Sequence, residues 1–355
     1  MSKRIVILTN IPSPYRNPVY KLVSENFLFE TLVVFCSSTE PNRSWVSEKL
    51  NFPHVFLSNS KNRFRHFNIN VWQKLSGFNP DIVVISGFSL TMLIGFLWCL
   101  VKRKKYIIFS DGTIESESIL TIPHWLIRKF TFFFAAGFIG ASNKTIDLFK
   151  SYGVDKEKCT LSCLAVDNEM FYLKPEINKK YDLMYCGQFI ERKGPLFFCE
   201  IALNLTKVID DFCVLLVGDG PLLKDSISFL EKNNVNFHST GAVPYSNLPA
   251  YFSSSKLFIF PTRNEPWGLV LNEALSCGVP VVTSPNTGAV GELIIDGLNG
   301  SVIVGMDVHE WVDSITNILN AETYYQSLCK NSKNSVADHN FQNASLGILE
   351  ALAKI

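Results

Sequence analysis

Residues 264–275 have the sequence Asn264-Glu265-Pro266-Trp267-Gly268-Leu269-Val270-Leu271-Asn272-Glu273-Ala274-Leu275 and lie between two short apolar runs, 256–261 and 279–283. Each run has the length and composition of a buried strand. Pro266 and Gly268 are typical of a turn that leads into a helix, and Gly278 is typical of a helix end. This part of the chain therefore predicts a strand, a loop and a short helix, followed at once by another strand.

Two carboxylates lie at this predicted junction, Glu265 in the loop and Glu273 about one turn into the helix. Open α/β sheets bind ligands where strands end and helices begin. The helix dipole and the first backbone N–H groups of the helix would favour an anion there. The substrate-binding residues predicted in this segment are Asn264, Gly268, Leu269, Val270 and Glu273.

Short apolar runs alternate with helical patterns along the rest of the chain. Because these runs lack a strict polar–apolar alternation, they predict strands that are covered on both faces, hence doubly wound parallel α/β sheets. The predicted strands are 5–8, 31–35, 54–57, 82–85, 106–109, 137–140, 182–186, 213–217 and 235–239. The polar stretch 164–180 predicts a linker, with a domain boundary near residue 172.

The pattern Glu265-x7-Glu273, with Pro-Trp-Gly-Leu-Val inside it, resembles the signature of retaining glycosyltransferases of family 4. The resemblance implies the α/β GT-B architecture, in which two Rossmann-like doubly wound domains face each other across a cleft. It also implies that residues 1–172 bind the acceptor and 173–338 bind a nucleotide-sugar, while 339–355 form a helix that returns to the N-terminal domain. The specific motifs lie in about residues 181–300.

A second motif, Gly187-Gln-Phe-Ile-Glu-Arg192-Lys193-Gly194-Pro195, follows the predicted strand 182–186. The planar fork of an arginine and the compact charge of a lysine suit a diphosphate and can neutralise a leaving group. The loop is similar to the family's Gly-Arg-x4-Lys-Gly loop, which contacts the donor phosphates. Lys193 matches that pattern, whereas Gln188 stands where the family has its arginine, so Arg192 is the neighbouring candidate. Arg192 and Lys193 are predicted catalytic residues.

The resemblance implies different tasks for the two glutamates. Glu273 would accept hydrogen bonds from two ribose hydroxyls, and hydrogen bonds to a charged group contribute roughly 1.5–3 kcal/mol. Glu265 would contact the transferred sugar and stabilise positive charge at the anomeric carbon. Retention of configuration would follow from front-face attack, with the leaving phosphate taking the acceptor proton.

Four further loops carry weaker predictions. Gly218, in Gly-Asp-Gly-Pro, allows a tight turn near the nucleotide, and the segment ending at Val243 offers backbone groups to the base. Tyr15 and Arg16, in a proline-rich first loop, and Asp111, after another strand, are predicted on the acceptor side. For Asp111 a hydrogen-bonding role is favoured over that of a base, and for these last two loops a purely structural turn stays open.

The composition of the whole sequence indicates a globular protein and excludes several classes of function. The 355 residues are 47% hydrophobic and 18% charged, with a net charge of +1, which predicts no nucleic-acid partner. Nine cysteines without a C-x2-C pair predict small buried thiols of a reducing cytosol. The sequence has no Asp-x-Asp triplet and no His cluster, so no essential metal and no cofactor are predicted beyond a UDP- or GDP-linked donor substrate. The lack of G-x-G-x-x-G after the first strand counts against a dinucleotide oxidoreductase.

Cations mix with aromatic residues in 102–105 and 123–134. Such a mixture can dock on an anionic bilayer and reach a lipid-linked acceptor. A buried helix with ordinary flanking charges is the alternative. We therefore expect a cytoplasmic enzyme of bacterial type, peripheral on the inner face of the plasma membrane.

The resulting hypothesis is a metal-independent retaining glycosyltransferase that builds a cell-surface glycan or lipid-linked saccharide, as in polysaccharide, O-antigen or capsule biosynthesis. A GT-B nucleotide-sugar epimerase or hydrolase is the first alternative. A catalytically silent GT-B scaffold subunit is the second, and loss of Lys193, Glu265 or Glu273 would be its mark. All three residues are present.

Overall fold

A computed structural model describes residues 2–40, 49–57, 66–118 and 120–355. The chain forms two compact units, the first running to Ala165 and resuming at Phe341–Ile355, the second comprising Val166–Asn340. The chain passes from the first unit to the second before the boundary expected near residue 172, because the residues after Ala165 pack on the second unit. Phe171 is fully buried there, with its ring 5.1 Å from that of Tyr245.

The first unit contains a parallel sheet in the order β3-β2-β1-β4-β5-β6-β7. The strands are β1 Lys3–Thr9, β2 Phe29–Phe35, β3 His54–Phe56, β4 Ile82–Ser86, β5 Lys105–Ser110, β6 Gly137–Gly140 and β7 Cys159–Leu161. The helices are α1 Asn17–Ser24, α2 Val71–Phe78, α3 Leu90–Val101, α4 Ile114–Glu117, α5 Ile122–Phe134 and α6 Asn143–Ser151. Residues 5–8 of β1 are completely buried, as expected of a central strand that is covered on both faces.

The second unit repeats this design with the order β10-β9-β8-β11-β12-β13. Its strands are β8 Tyr181–Cys186, β9 Cys213–Val217, β10 Asn236–Ser239, β11 Ser255–Phe260, β12 Val281–Thr283 and β13 Gly300–Val302. Its helices are α7 Pro195–Leu205, α8 Leu223–Lys232, α9 Leu248–Ser253, α10 Leu269–Ser276, α11 Val308–Asn320 and α12 Glu322–Ser335. This is the doubly wound order of the Rossmann fold, with its switch point between β8 and β11. The predicted parallel sheets are confirmed.

Each unit has a hydrophobic core of its own, around Trp98 and Phe149 in the first and around Phe198 and Trp311 in the second. Seven of the nine cysteine side chains are buried and two are half-buried. The apolar stretch 90–101 forms α3. Only one face of α3 is buried, since Leu97 and Val101 are exposed.

The last helix, α13, covers Phe341–Ala353 and packs against α1 and β7 within the first unit. A Cβ atom on Gly347 would lie 1.9 Å from the carbonyl oxygen of Leu161, so only glycine allows this close approach. The hydroxyl of Ser162 donates to the Ala344 carbonyl at 2.7 Å. Among the residues described, no helix has the length and apolar character needed to cross a membrane.

Candidate active site

The two sequence motifs meet at the switch point of the second unit. The loop with Arg192 and Lys193 follows β8, and the loop with Glu265 follows β11, which pairs in parallel with β8. Because parallel strands bring their carboxyl ends to one edge of the sheet, the two loops lie side by side. The backbone N–H of Arg263 donates to the Arg192 carbonyl at 2.9 Å and joins them directly.

Glu265 forms ion pairs with both predicted cations. Its Oε2 accepts from Arg192 Nη1 at 2.6 Å and from the Lys193 ammonium. Burial of the Glu265 carboxyl opposes its ionisation, but the charges and hydrogen bonds of Lys193 and Arg192 outweigh burial, so its pKa is lowered. This carboxylate therefore balances part of the positive charge of the loop with Arg192 and Lys193.

The backbone of Glu265 is held by the loop after β12. Its N–H donates to the Asn286 carbonyl at 3.0 Å, and its carbonyl accepts from Gly288 N–H at 2.8 Å. A Cβ atom on Gly288 would lie 1.6 Å from the Pro266 carbonyl oxygen. The loop containing Glu265 thus has a defined position, as a charged group in an active site requires.

The helix α10 begins at the predicted position, after Gly268 with a left-handed φ of 91°. Trp267 is buried and donates from Nε1 to the Asn272 side-chain oxygen at 2.8 Å, which ties the turn to the helix. Leu269 and Val270 are half-buried. Asn264 takes part through its carbonyl, which accepts from Arg192 Nη1.

Glu273 lies deeper than Glu265, and 8% of its surface is exposed. Burial raises the pKa of its carboxyl to about 8, although a hydrogen bond from Tyr245 opposes this shift. Cys186, the last residue of β8, interacts electrostatically with both Glu273 and Lys193. The buried carboxyl and the cation are therefore both close enough to the end of β8 to act on this thiol.

Gly218 and Val243 belong to loops that lie beside the loop with Arg192 and Lys193. Gly218 N–H donates to the Gly241 carbonyl at 2.9 Å, and Gly187 N–H donates to the Val217 carbonyl at 3.0 Å. A Cβ atom on Gly218 would meet the Gly187 carbonyl oxygen at 1.9 Å. Val243 is half-buried, two residues beyond Gly241.

Three predicted residues come together in the first unit. Tyr15, Arg16 and Asp111 all interact electrostatically with the hydroxyl of buried Tyr20, whose pKa is raised by burial. The Arg16 guanidinium lies 4.4 Å from the ring centre of Phe109, and Asp111 is exposed.

Sequence reasoning missed Tyr245 and the support given by Asn286 and Gly288. An aromatic residue directly after the predicted base loop was the available signal for Tyr245. Within the described ranges 2–40, 49–57, 66–118 and 120–355, no group of three or more His, Cys, Asp or Glu side chains could hold a metal ion.

Comparisons with known proteins agree with this geometry. The chain is 28% identical over 353 residues to a 2-deoxystreptamine N-acetyl-D-glucosaminyltransferase of Niallia circulans, covering 93% of this chain and 87% of the relative. It is 26% identical over 185 residues to an uncharacterized glycosyltransferase of Methanocaldococcus jannaschii, an alignment that spans 52% of this chain and half (50%) of that relative's length. The crystal structure of Anabaena HepE in complex with UDP matches with a TM-score of 0.80 at 15% identity, covering 99% of this chain and 100% of that one.

Together these matches confirm the predicted resemblance to glycosyltransferases and the predicted GT-B fold. Residues 169–335, which contain Arg192, Lys193 and both glutamates, match the model of the family described as glycosyl transferases group 1.

Proposed function

We propose that this protein is a retaining, metal-independent glycosyltransferase that moves a sugar from a nucleotide-sugar to a hydroxyl of a cell-surface glycan or lipid-linked saccharide. The observation that carries the proposal is the meeting of Arg192, Lys193 and Glu265 at the switch point of the second unit. Glu273 is buried in α10, the helix that follows the loop with Glu265.

The donor diphosphate is proposed to take over Lys193 and Arg192. Glu265 then shares these cations with the phosphates, and its carboxylate becomes available to the sugar. When the bond between the anomeric carbon and the diphosphate breaks, the cations stabilise the negative leaving group, and Glu265 stabilises the positive charge on the sugar. Such charge pairs act strongly because the site is partly withdrawn from water.

Retention follows in this proposal from attack on the face that the diphosphate leaves. The acceptor oxygen bonds to the anomeric carbon, and its proton passes to the departing phosphate oxygen. The departing charge meets two side-chain cations and the N-terminus of α10, whose first N–H groups have no partner within the helix. These groups supply the neutralisation that a divalent metal supplies elsewhere, which supports metal independence.

A UDP-linked donor is the first choice, with GDP as the alternative, because HepE has the same fold and was solved with UDP. Tyr15, Arg16 and Asp111 are proposed to bind the acceptor. Their electrostatic grouping around Tyr20 supports this role, because it brings one cation, one carboxylate and one phenol to neighbouring loops.

An exposed apolar face of α5 supports a membrane-bound acceptor. Ile122, Trp125, Leu126 and Phe133 share this face and are 75%, 44%, 53% and 81% exposed. The Lys129 ammonium lies on the same face, 4.9 Å from the ring centre of Trp125. The neighbouring helix α3 ends in exposed Lys102 and Arg103. We propose that this surface, called here the α5 face, docks on the anionic inner face of the plasma membrane.

Ligand-dependent thermal unfolding tests the donor site. Wild type, Glu273→Ala, Lys193→Ala and the control Glu200→Ala, an exposed residue of α7, are heated with UDP, GDP, ADP and their sugars. A ligand at about a hundred times its dissociation constant adds about 2.7 kcal/mol of stability. We expect one nucleotide to stabilise wild type and Glu200→Ala, unchanged by EDTA.

The same nucleotide should bind Glu273→Ala about tenfold to a hundredfold more weakly, since hydrogen bonds to a charged group are lost. If no nucleotide raised the unfolding temperature of wild type, the donor site and the proposed function would both be wrong. With a donor in hand, the anomeric configuration of the product, read by NMR, decides between retention and inversion.

A further inference from the structure

Arg128 lies on the buried side of α5, the helix whose other side forms the exposed α5 face. Its Nε donates to Glu117 Oε1 at 2.7 Å, and its guanidinium lies 4.3 Å from the ring centre of Phe88. The side chains of Arg128 and Glu117 are only 11% and 10% exposed. Because this ion pair is largely withdrawn from water, loss of either partner leaves the other charge uncompensated. The pair therefore holds α5 to α4 more firmly than a surface ion pair would.

The same Glu117 oxygen lies against the loop that carries the proposed acceptor residue Asp111. A Cβ atom on Gly112 would lie 3.2 Å from Glu117 Oε1, so the carboxylate packs on the backbone directly after Asp111. The backbone N–H of Glu117 donates to the Thr113 carbonyl at 3.0 Å, and the Thr113 side chain caps α4. The position of residues 110–113, called here the acceptor loop, therefore depends on the Glu117 carboxylate.

A second contact with α5 holds the other oxygen of this carboxylate. The Tyr152 hydroxyl donates to Glu117 Oε2 at 3.2 Å. The ring of Tyr152 packs on α5, with its centre 5.0 Å from that of Phe132 and 6.5 Å from that of Trp125. Trp125 belongs to the α5 face and is 44% exposed. Both carboxylate oxygens of Glu117 are thus fixed by groups that α5 carries or contacts.

We propose that Arg128 is a positioning residue that transmits docking of the α5 face on an anionic membrane to the acceptor loop. The inference rests on the proposed function, because it needs the proposed membrane surface and the proposed acceptor residue Asp111. A bilayer would hold the exposed side of α5 and so restrict the motion of the helix and of Arg128. Glu117 would follow Arg128, and the acceptor loop would become ordered where a membrane-bound acceptor is present.

An ion pair that only stabilises the fold would behave differently. It would hold the acceptor loop equally well with and without a membrane. Coupling instead requires that lipid change the loop, and that the change disappear when the ion pair is broken. Lipid dependence is therefore the property to measure.

Hydrogen exchange of backbone amides measures it without a known acceptor. Wild type, Arg128→Met and the control Lys150→Met are compared with and without phosphatidylglycerol vesicles. Lys150→Met breaks an exposed ion pair with Asp147 on α6 of the same unit. In wild type and the control we expect vesicles to slow exchange about threefold or more, both in α5 and at residues 111–117. In Arg128→Met the protection of α5 should remain, and the protection of 111–117 should be lost.

Two further variants separate the coupling from a loss of folding. Arg128→Lys keeps a charged donor for Glu117 and should keep the lipid response of residues 111–117. Glu117→Gln keeps the size of the side chain without its charge and should repeat the effect of Arg128→Met. Thermal unfolding midpoints show that each variant compared is folded.

Two results would overturn the inference while docking stands. In the first, vesicles protect α5 of wild type but leave residues 111–117 unchanged. In the second, protection of 111–117 persists in both Arg128→Met and Glu117→Gln, because lipid then shields this segment directly. If vesicles protect neither segment of wild type, docking of the α5 face falls first, and the coupling falls with it. Nucleotide binding is measured separately, so failure of the donor site is distinguishable from both.

Discussion

At the scale of single residues, the second unit treats its two glutamates in opposite ways. Glu265 is held ionised by two cations, whereas burial raises the pKa of Glu273 to about 8. Glu265 is therefore ionised and can stabilise a positive charge, whereas Glu273 becomes ionised only at a mildly alkaline pH. A ribose that donates two hydroxyls to Glu273 would favour the ionised form.

The raised pKa of Glu273 predicts a pH-dependent contribution to stability. The folded state keeps the Glu273 proton up to about pH 8, whereas the unfolded chain loses it near the ordinary glutamate pKa of 4.5. Between these values the folded state binds more protons, so stability falls as pH rises, by at most about 1.4 kcal/mol per pH unit. This contribution is fully present below the unfolded pKa and lost as pH rises through the folded one.

Urea unfolding of wild type and Glu273→Gln at several pH values between 5 and 9 measures this term. The stability of wild type relative to Glu273→Gln should decline steadily up to about pH 8 and then level off. Glu200→Gln, at an exposed position, serves as the control and should run parallel to wild type. Parallel curves for Glu273→Gln would show that this carboxyl does not titrate as inferred.

The sequence predicted in which loops these residues lie better than it predicted their contacts with one another. It predicted that Arg192, Lys193 and Glu265 lie in loops at strand ends, because strand, glycine and proline signals are local. It did not predict that they pair with one another, because pairing depends on β8 and β11 being neighbours in the sheet. Tyr245 was missed for the same reason, since it and Glu273 are far apart in the sequence.

At the scale of elements, predicted strand bounds agree with the structure to within two residues, because short buried runs have clear ends. Strands β7 and β13 were not among the predicted strands. The boundary predicted near residue 172 lies after the observed one at Ala165. The packing of Phe171 on the second unit leaves no local signal in a polar stretch of sequence.

The loop after β12 gives a prediction at this scale. In Gly288→Ala the new Cβ would overlap the Pro266 carbonyl, so the loop that carries Glu265 must move. Overpacking of this kind costs about 1–3 kcal/mol. We expect transferase activity to fall at least tenfold, while UDP affinity changes less than threefold, because Lys193, Glu273 and the base loop lie outside the displaced loop.

Activity assays and UDP titration of Gly288→Ala, with unfolding midpoints, separate these effects. Gly77→Ala is the control, because a Cβ there meets nothing within 4 Å. Gly77 lies inside α2, where alanine is the better helix former, so this variant should be as stable as wild type or more so. Full activity in Gly288→Ala would mean that the position of Glu265 is not set by this contact.

At the scale of the whole molecule, each unit has its own core and its own parallel sheet, yet the units differ at their surfaces. The site residues with the strongest motifs lie in the second unit. The α5 face belongs to the first unit, where the acceptor residues are proposed. This distribution of the proposed sites between the two units is the one expected of an enzyme that uses a soluble donor and a membrane-bound acceptor.

The α5 face gives the last prediction. Burying each of its large side chains in a bilayer interface contributes up to about 1.5–3 kcal/mol, and Lys129, Lys102 and Arg103 add attraction to anionic lipid. The protein should therefore sediment with phosphatidylglycerol vesicles, less with phosphatidylcholine vesicles, and less again as salt rises. Ile122→Glu and Phe133→Glu should each weaken this binding at least tenfold, because each replaces an apolar contact with a repelled charge.

Leu346→Glu is the matched control for this experiment, since Leu346 is 59% exposed on α13, in the same unit. It should sediment like wild type, and all variants should keep the wild-type unfolding midpoint. If Phe133→Glu and Leu346→Glu sedimented equally well, the α5 face would not be the docking surface. Its exposed aromatic residues would then have to be explained by a protein partner, and the proposal of a membrane-bound acceptor would lose its main support.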